Sequence, residues 1–218
     1  MKLSSPFELI KKAVDIFSKK ENVLFLVQIY LPVGFFSLLS VLQDYLPSSV
    51  RNSIWLNVTT GILQIISILV GIFVTASGIL ALAKVVGGGE LSVMKTFKAA
   101  WKKYWVFLPI SIAIFLIYLF GFVLLIVPGV LFVVWFAFTK FIAIEKGTGI
   151  KESFVKSKEL VKGIYWKVLG RLIIFGLFVI VIEAILTVIP YGVGAIIGSL
   201  IGGLFMLPSY LLYKEISA

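Results

Sequence analysis

The chain has 218 residues, 61% hydrophobic and only 14% charged, where a soluble domain is about half apolar and about a quarter charged. It contains neither Cys nor His, which excludes disulfides, thiol chemistry, histidine metal sites and Ser-His-Asp catalysis. The formal charge is +10. In a chain this apolar, the acidic partner to expect is the bilayer and not nucleic acid.

The N-terminal stretch MKLSSPFELIKKAVDIF mixes apolar and charged residues. It has no uninterrupted apolar core, so no cleaved signal peptide is expected. Phe7, Ile10, Val14 and Phe17 share one helical face. Ser5 and Pro6 are a good helix start, and Glu8 stands four residues before Lys12. Six apolar spans follow, at roughly 23–46, 58–86, 104–127, 129–144, 166–189 and 191–213. A helix of about 20 residues crosses a hydrocarbon core of about 30 Å. The fourth span is the shortest and crosses if its helix continues through Lys140 and Glu145 into the headgroups. A re-entrant hairpin at Pro128-Gly129 is the competing reading, and it fails the charge distribution below.

Between spans two and three, VVGGGELS reads as a hinge or helix stop. It lacks the strand before it and the Lys-Ser/Thr after it that a phosphate loop needs. In the following ELSVMKTFKAAWKKYW, Val93, Phe97, Ala100, Trp101 and Tyr104 form an apolar face, with Lys95, Lys98 and Lys102 opposite. Between spans four and five, Ile150, Phe154, Val161 and Ile164 face one way, and Glu152 pairs with Lys156 at i+4. Each of the three segments reads as a basic amphipathic helix lying in the inner interface. Packing on the protein's own cytoplasmic face is the alternative.

Of the 20 Lys and Arg, every one except Arg51 falls on one side of a six-span topology. The positive-inside rule therefore expects both termini in the cytoplasm. Pro47, Pro128 and Pro190 punctuate the outer turns at near-equal intervals after Val23, Val106 and Lys167. Together with the recurring basic segment, this spacing predicts three helical hairpins, with repeats at 1–86, 87–145 and 146–218 of a single membrane domain.

The stretch PGVLFVVWFAF…AIEKGTGIKESFVKSKELVKGIYWKVLG, with Pro128-Gly129, Glu145, Ser157, Lys162-Gly163 and Trp166 through Gly170, carries a resemblance. It resembles the membrane-domain family attached to some bacterial glycerophosphoryl diester phosphodiesterases, and its stand-alone six-span members. Phe136 and Ile142 depart from the family pattern, which often has a basic residue and a proline there. The resemblance implies a six-helix membrane domain. It does not imply phosphodiesterase activity, which belongs to a separate soluble barrel with histidine and metal-binding carboxylates.

Glu183 is the one ionisable residue well inside a span, and an intramembrane carboxylate is a functional candidate by default. Gln28 and Gln64 are its candidate neutral partners; a protonated Glu183 making one interhelical hydrogen bond is the structural alternative. Gly194, Gly198 and Gly202 form a doubled GxxxG stripe in span six, read either as packing within the bundle or as a homo-oligomer face. Trp101, Trp105 and Trp166 stand near the inner interface, and Trp55 and Tyr45 near the outer.

The expectation is thus an all-α, polytopic integral membrane protein of the cell membrane. It has six transmembrane helices as three hairpins, each preceded by a basic interfacial helix. It is expected to be non-enzymatic, to need no cofactor or metal, and to organise lipid or partner proteins at the inner leaflet. The inner-leaflet residues are Lys11, Lys12, Lys95, Lys98, Lys102, Lys158 and Lys162. The partners expected are anionic membrane lipid and either further copies of the chain or another membrane protein. The alternative is a small transporter or channel using Glu183, Gln28 and Gln64.

Overall fold

The computed structural model describes residues 3–124 and 126–218. Lys2, counted above among the basic residues, lies outside them, as does Leu125. The described residues form helices and no strand: α1 (Pro6–Phe17), α2 (Lys20–Asp44), the short α3 (Ser48–Arg51), α4 (Ile54–Gly87), α5 (Val93–Leu124), α6 (Ile126–Phe136), α7 (Thr139–Lys146), α8 (Ile150–Val161), α9 (Tyr165–Thr187), a 3₁₀ turn (Pro190–Gly192), α10 (Val193–Leu200) and α11 (Gly202–Ser217). Six segments are long and apolar enough to cross a membrane. The fourth is α6 continued by α7, and the sixth joins the 3₁₀ turn, α10 and α11.

Local sequence explains most boundaries. At the start of α1 the Glu8 N–H donates to Ser5 Oγ (3.1 Å) and the Ser5 N–H donates to Glu8 Oε2 (2.7 Å), a complete capping box with Pro6 in the first turn. The glycine run after α4 acts as a helix stop: Gly88 takes φ 70°, and its N–H returns to the Lys84 carbonyl.

Two sequence expectations are corrected. The second basic segment is not a separate helix; it is the first turns of the 32-residue α5. No glycine, proline or capping residue separates Lys103 from Trp105, so nothing stops the helix at the interface. The first and third basic segments are set off from their spans by Ser18-Lys19 and Lys162-Gly163. Second, Pro128-Gly129 is not the outer turn but lies in the first turn of α6, where a proline costs no intrahelical hydrogen bond. Gly129 lets α6 close on α5: a Cβ there would stand 2.7 Å from the Phe122 ring, and one on Gly121 would stand 3.0 Å from Gly129 Cα.

The surface helices also turn differently from the expected faces. α1 packs on α11 through Leu9, Ala13 and Phe17, all buried, and leaves Phe7 71% exposed. α8 buries Ser153, Ser157 and Val161 against α6 and α7, leaving Ile150 and Val155 exposed. Both helices therefore dock on the protein by one face and keep a second, partly apolar face outward.

Helix α2 packs on α4 and α10, α4 on α5, α5 on α6, and α9 on α10. α2, α5 and α11 run unbroken through Pro32, Pro109 and Pro208. The spans break elsewhere, between α6 and α7 and between α10 and α11. In hydrocarbon the backbone groups freed by such a break need partners. At the first break Ser157 of α8 supplies them: its Oγ donates to the Trp135 carbonyl (2.8 Å) and accepts from the Phe138 N–H (3.2 Å). Beneath this break Phe138, Phe141, Tyr210 and Tyr213 form one aromatic cluster, with ring centroids 5.5–6.5 Å apart.

Ser157→Ala leaves those backbone groups orphaned and is expected to cost about 1–3 kcal/mol, read as a lowered unfolding midpoint in detergent. Ser40→Ala, on an exposed surface where the hydroxyl bonds only to Phe36 O of its own helix, is expected to stay within about 0.5 kcal/mol of the parent.

Candidate functional site

One end of the bundle gathers charged side chains from nearly every element. The N-terminal segment is clamped there: Arg171 of α9 donates from Nε to Ser4 O (2.9 Å) and from Nη2 to Leu3 O (3.0 Å). The Ser4 N–H (2.7 Å) and Oγ (2.9 Å) donate to Glu215 Oε1 of α11. Lys84, at the end of α4, donates to Thr96 Oγ1 of α5 at 2.9 Å. Lys103 of α5 donates to the Ile144 carbonyl of α7. Glu145, closing α7, accepts from the Tyr210 hydroxyl and from Lys214 Nζ (2.9 Å), and the Lys214 ammonium lies 5.5 Å from the Tyr210 ring centroid. These contacts bring the N-terminus, the C-terminus, the α4–α5 connection and the end of α7 to the same end.

Around this end the seven expected lysines, Lys11, Lys12, Lys95, Lys98, Lys102, Lys158 and Lys162, are all exposed. Lys95 pairs with Glu90 at 2.7 Å, both about two-thirds exposed. The hydrogen bond from Lys95 and its charge hold the Glu90 carboxyl below the ordinary range. Trp101, Trp105 and Trp166 are exposed beside the lysines, while Trp55, Tyr45 and Tyr191 are exposed at the opposite end. Amphipathic rings at two levels of an apolar bundle match the two interfaces of a bilayer.

The intramembrane polar residues are not brought together. The Glu183 carboxylate lies against Gly198 of α10, so that a Cβ on Gly198 would stand 3.0 Å from its Oε1. Gln64 faces a polar groove between α2 and α4 with Ser40, Gln43, Asp44, Thr60 and Ser67. Gln28 is exposed beside Glu21 and Gly89, toward the basic end. Glu183 therefore has neither glutamine as a hydrogen-bond partner among the described residues.

The glycine stripe has three different neighbours. A Cβ on Gly194 would fall 1.8 Å from the Leu186 carbonyl oxygen of α9, one on Gly198 would meet Glu183, and one on Gly202 would fall 2.5 Å from the Tyr30 ring of α2. Tyr30 also fills the space beside Gly78 of α4, 2.6 Å from a Cβ there. The stripe thus seats α10 and α11 inside this bundle.

Three sets of contacts go beyond the sequence reading. Glu145 reads as an ordinary solvated helix position, yet its side chain is only 14% exposed and holds Tyr210 and Lys214. Ser4 and Glu215 lie 211 positions apart, with no local signal to join them. Ser157 could have been found: Ser153, Ser157 and Val161 recur at i, i+4 and i+8, a smooth stripe on a helix otherwise rich in charge.

No family model, curated protein or solved structure matches this chain.

Gly194→Ala forces apart α9 and α10 and is expected to cost about 3 kcal/mol or more. Gly176→Ala, on an open face of α9 with nothing within 4 Å of its Cβ, is expected to be neutral or stabilising by up to about 1 kcal/mol. Thermal unfolding of both variants in one detergent checks the contrast.

Proposed function

We propose that this chain is a non-enzymatic, six-span protein of the cell membrane that engages anionic lipid, and through it partner proteins, at the inner leaflet. The observation that carries this reading is the ring of exposed lysines and tryptophans around one end of an apolar bundle. A lysine near an anionic surface contributes about 1 kcal/mol, and the tryptophan rings fix the depth at which those ammonium groups sit. The outward faces of α1, with Phe7, Val14 and Lys11, and of α8, with Ile150, Val155 and Lys158, have the composition of interfacial helices.

In this reading both termini are cytoplasmic, and the bundle is built from three hairpins, α2 with α4, α5 with α6 and α9 with α10. The convergence of the basic segments at one end supports a single cytoplasmic side. Membership in the stand-alone branch of the glycerophosphoryl diester phosphodiesterase membrane-domain family is part of the same proposal. It is supported by residues of the resembling stretch that have structural work here: Ser157 at the helix break, Glu145 under Tyr210 and Gly163 with φ 82° after α8. Glu183, Gln28 and Gln64 do not converge, which favours this reading over a transporter built on the three together.

Two measurements test this. A protein keeping Trp101 and Trp105 as its only tryptophans, in phosphatidylcholine vesicles, is expected to be quenched at a lower mole fraction of brominated phosphatidylglycerol than of brominated phosphatidylcholine. Raising salt to 0.5 M weakens the preference. Changing Lys95, Lys98 and Lys102 to Gln reduces it about tenfold or more. Equal quenching by the two lipids overturns the lipid reading. For topology, the chain has no native cysteine, so single cysteines at Ser18 and Ser217 are expected to react from the cytoplasmic side and one at Ser49 from the other. Labelling at position 18 from the non-cytoplasmic side overturns the orientation, and labelling at 18 and 49 from the same side overturns the span made by α2.

A further inference from the structure

Helices α6, α8 and α9 line an open groove of about 820 Å³, within the roughly 300–1,000 Å³ range of small-molecule sites. Two cross-ties frame it. Ser157 of α8 bonds to the Trp135 carbonyl of α6 (2.8 Å), and the Tyr165 hydroxyl of α9 donates to the Val130 carbonyl of α6 (3.3 Å). The rim is cationic: Lys158 and Lys162 face the groove with a single opposing carboxylate, Glu159. The wall is apolar, from Leu131, Trp135, Val155 and Trp166. Lys158 is held in place, its ammonium 4.3 Å from the Trp135 ring centroid, which orders a lysine that would otherwise sample water. Trp166, 80% exposed, stands at the mouth in the inner aromatic belt.

We propose that this groove is a discrete binding site for one glycerophospholipid with an anionic headgroup. The phosphate sits between Lys158 and Lys162, and the start of an acyl chain lies along Leu131 and Val155. The occupant follows from the two-part lining. Two ammonium groups against one carboxylate select a net negative group, and an apolar wall continuous with the surface of α6 leads toward hydrocarbon. A soluble anion would leave that wall unfilled, and an apolar chain alone would leave the lysines unpaired. The site rests on the proposed orientation of the basic end toward the inner leaflet. It adds a localised, saturable component to what is elsewhere a diffuse surface attraction.

The full chain retaining Trp135 and Trp166 as its only tryptophans is reconstituted in phosphatidylcholine vesicles and titrated with brominated phosphatidylglycerol. Quenching is expected to saturate at a mole fraction about fivefold to tenfold lower than with brominated phosphatidylcholine. Lys158→Gln with Lys162→Gln abolishes that difference, and Lys158→Arg with Lys162→Arg, which keeps charge and fold, preserves it. Inorganic phosphate at millimolar concentration does not compete. Equal quenching by the two lipids at Trp135 and Trp166 overturns the site. If the Trp101 and Trp105 reporter still prefers phosphatidylglycerol, the wider inner-leaflet reading survives that failure. If neither reporter shows a preference, both fall. A preference that persists in the double Gln variant overturns the lysine assignment, and competition by inorganic phosphate overturns the lipid as occupant.

Discussion

The hydroxyl of Ser157 repairs a break in a membrane-spanning helix, and much of the basic end follows from that repair. Lipid offers the backbone no hydrogen bonds, and at the interruption between α6 and α7 it is α8 that supplies a donor and an acceptor from one side chain. The bond works in both directions. It closes the fourth span and at the same time pins α8, a helix with a charged surface, onto the bundle. Once Ser157 is fixed at Trp135, the next residue, Lys158, is carried over the Trp135 ring, and Lys162 follows one turn later. The groove between α6, α8 and α9 is thus a geometric consequence of mending the backbone.

A second constraint is close approach. Between lipid-solvated helices there is little hydrophobic drive, so contact area and small residues decide which surfaces meet. Gly194 admits the Leu186 carbonyl, Gly202 admits the Tyr30 ring, and Gly121 and Gly129 bring α5 onto α6. The exterior shows the complementary pattern. Ile65, Phe115, Ile180 and Val181 point outward, where a soluble protein would carry charge. The charged contacts, by contrast, crowd one end, where Ser4, Arg171, Glu215, Glu145 and Lys214 bind the chain termini to the starts and stops of the spans.

Much of this was legible from residue order. Six apolar stretches, the asymmetry of lysine and arginine, the Ser5-Pro6 start and the stop at Gly88 are local or compositional signals, and local physics governs them. The faces of α1 and α8 were only partly legible. Each carries two surfaces, one against the protein and one outward, and periodicity alone reports a single average direction. In α8 the protein-facing surface includes Ser153 and Ser157, which a hydrophobic pattern counts as polar. Pro128-Gly129 misled for a related reason: proline is as acceptable in the first turn of a helix as in a turn before it, and only the packing of Gly129 on Phe122 distinguishes the two.

By itself the sequence determined the class of molecule, an all-helical chain with six spans and a basic side. Hydrocarbon thickness, backbone satisfaction and charge cost act on any segment regardless of its neighbours. The tertiary structure alone decided which polar residues meet. Glu183, the conspicuous carboxylate, lies on a glycine and away from Gln28 and Gln64, while Glu145, Ser157 and Lys158 sit in the defined contacts. Their distances are set by glycine-permitted approach and by the repair of a broken helix; a stripe of small residues shows in the sequence that a close approach will occur, but not which helix it will meet.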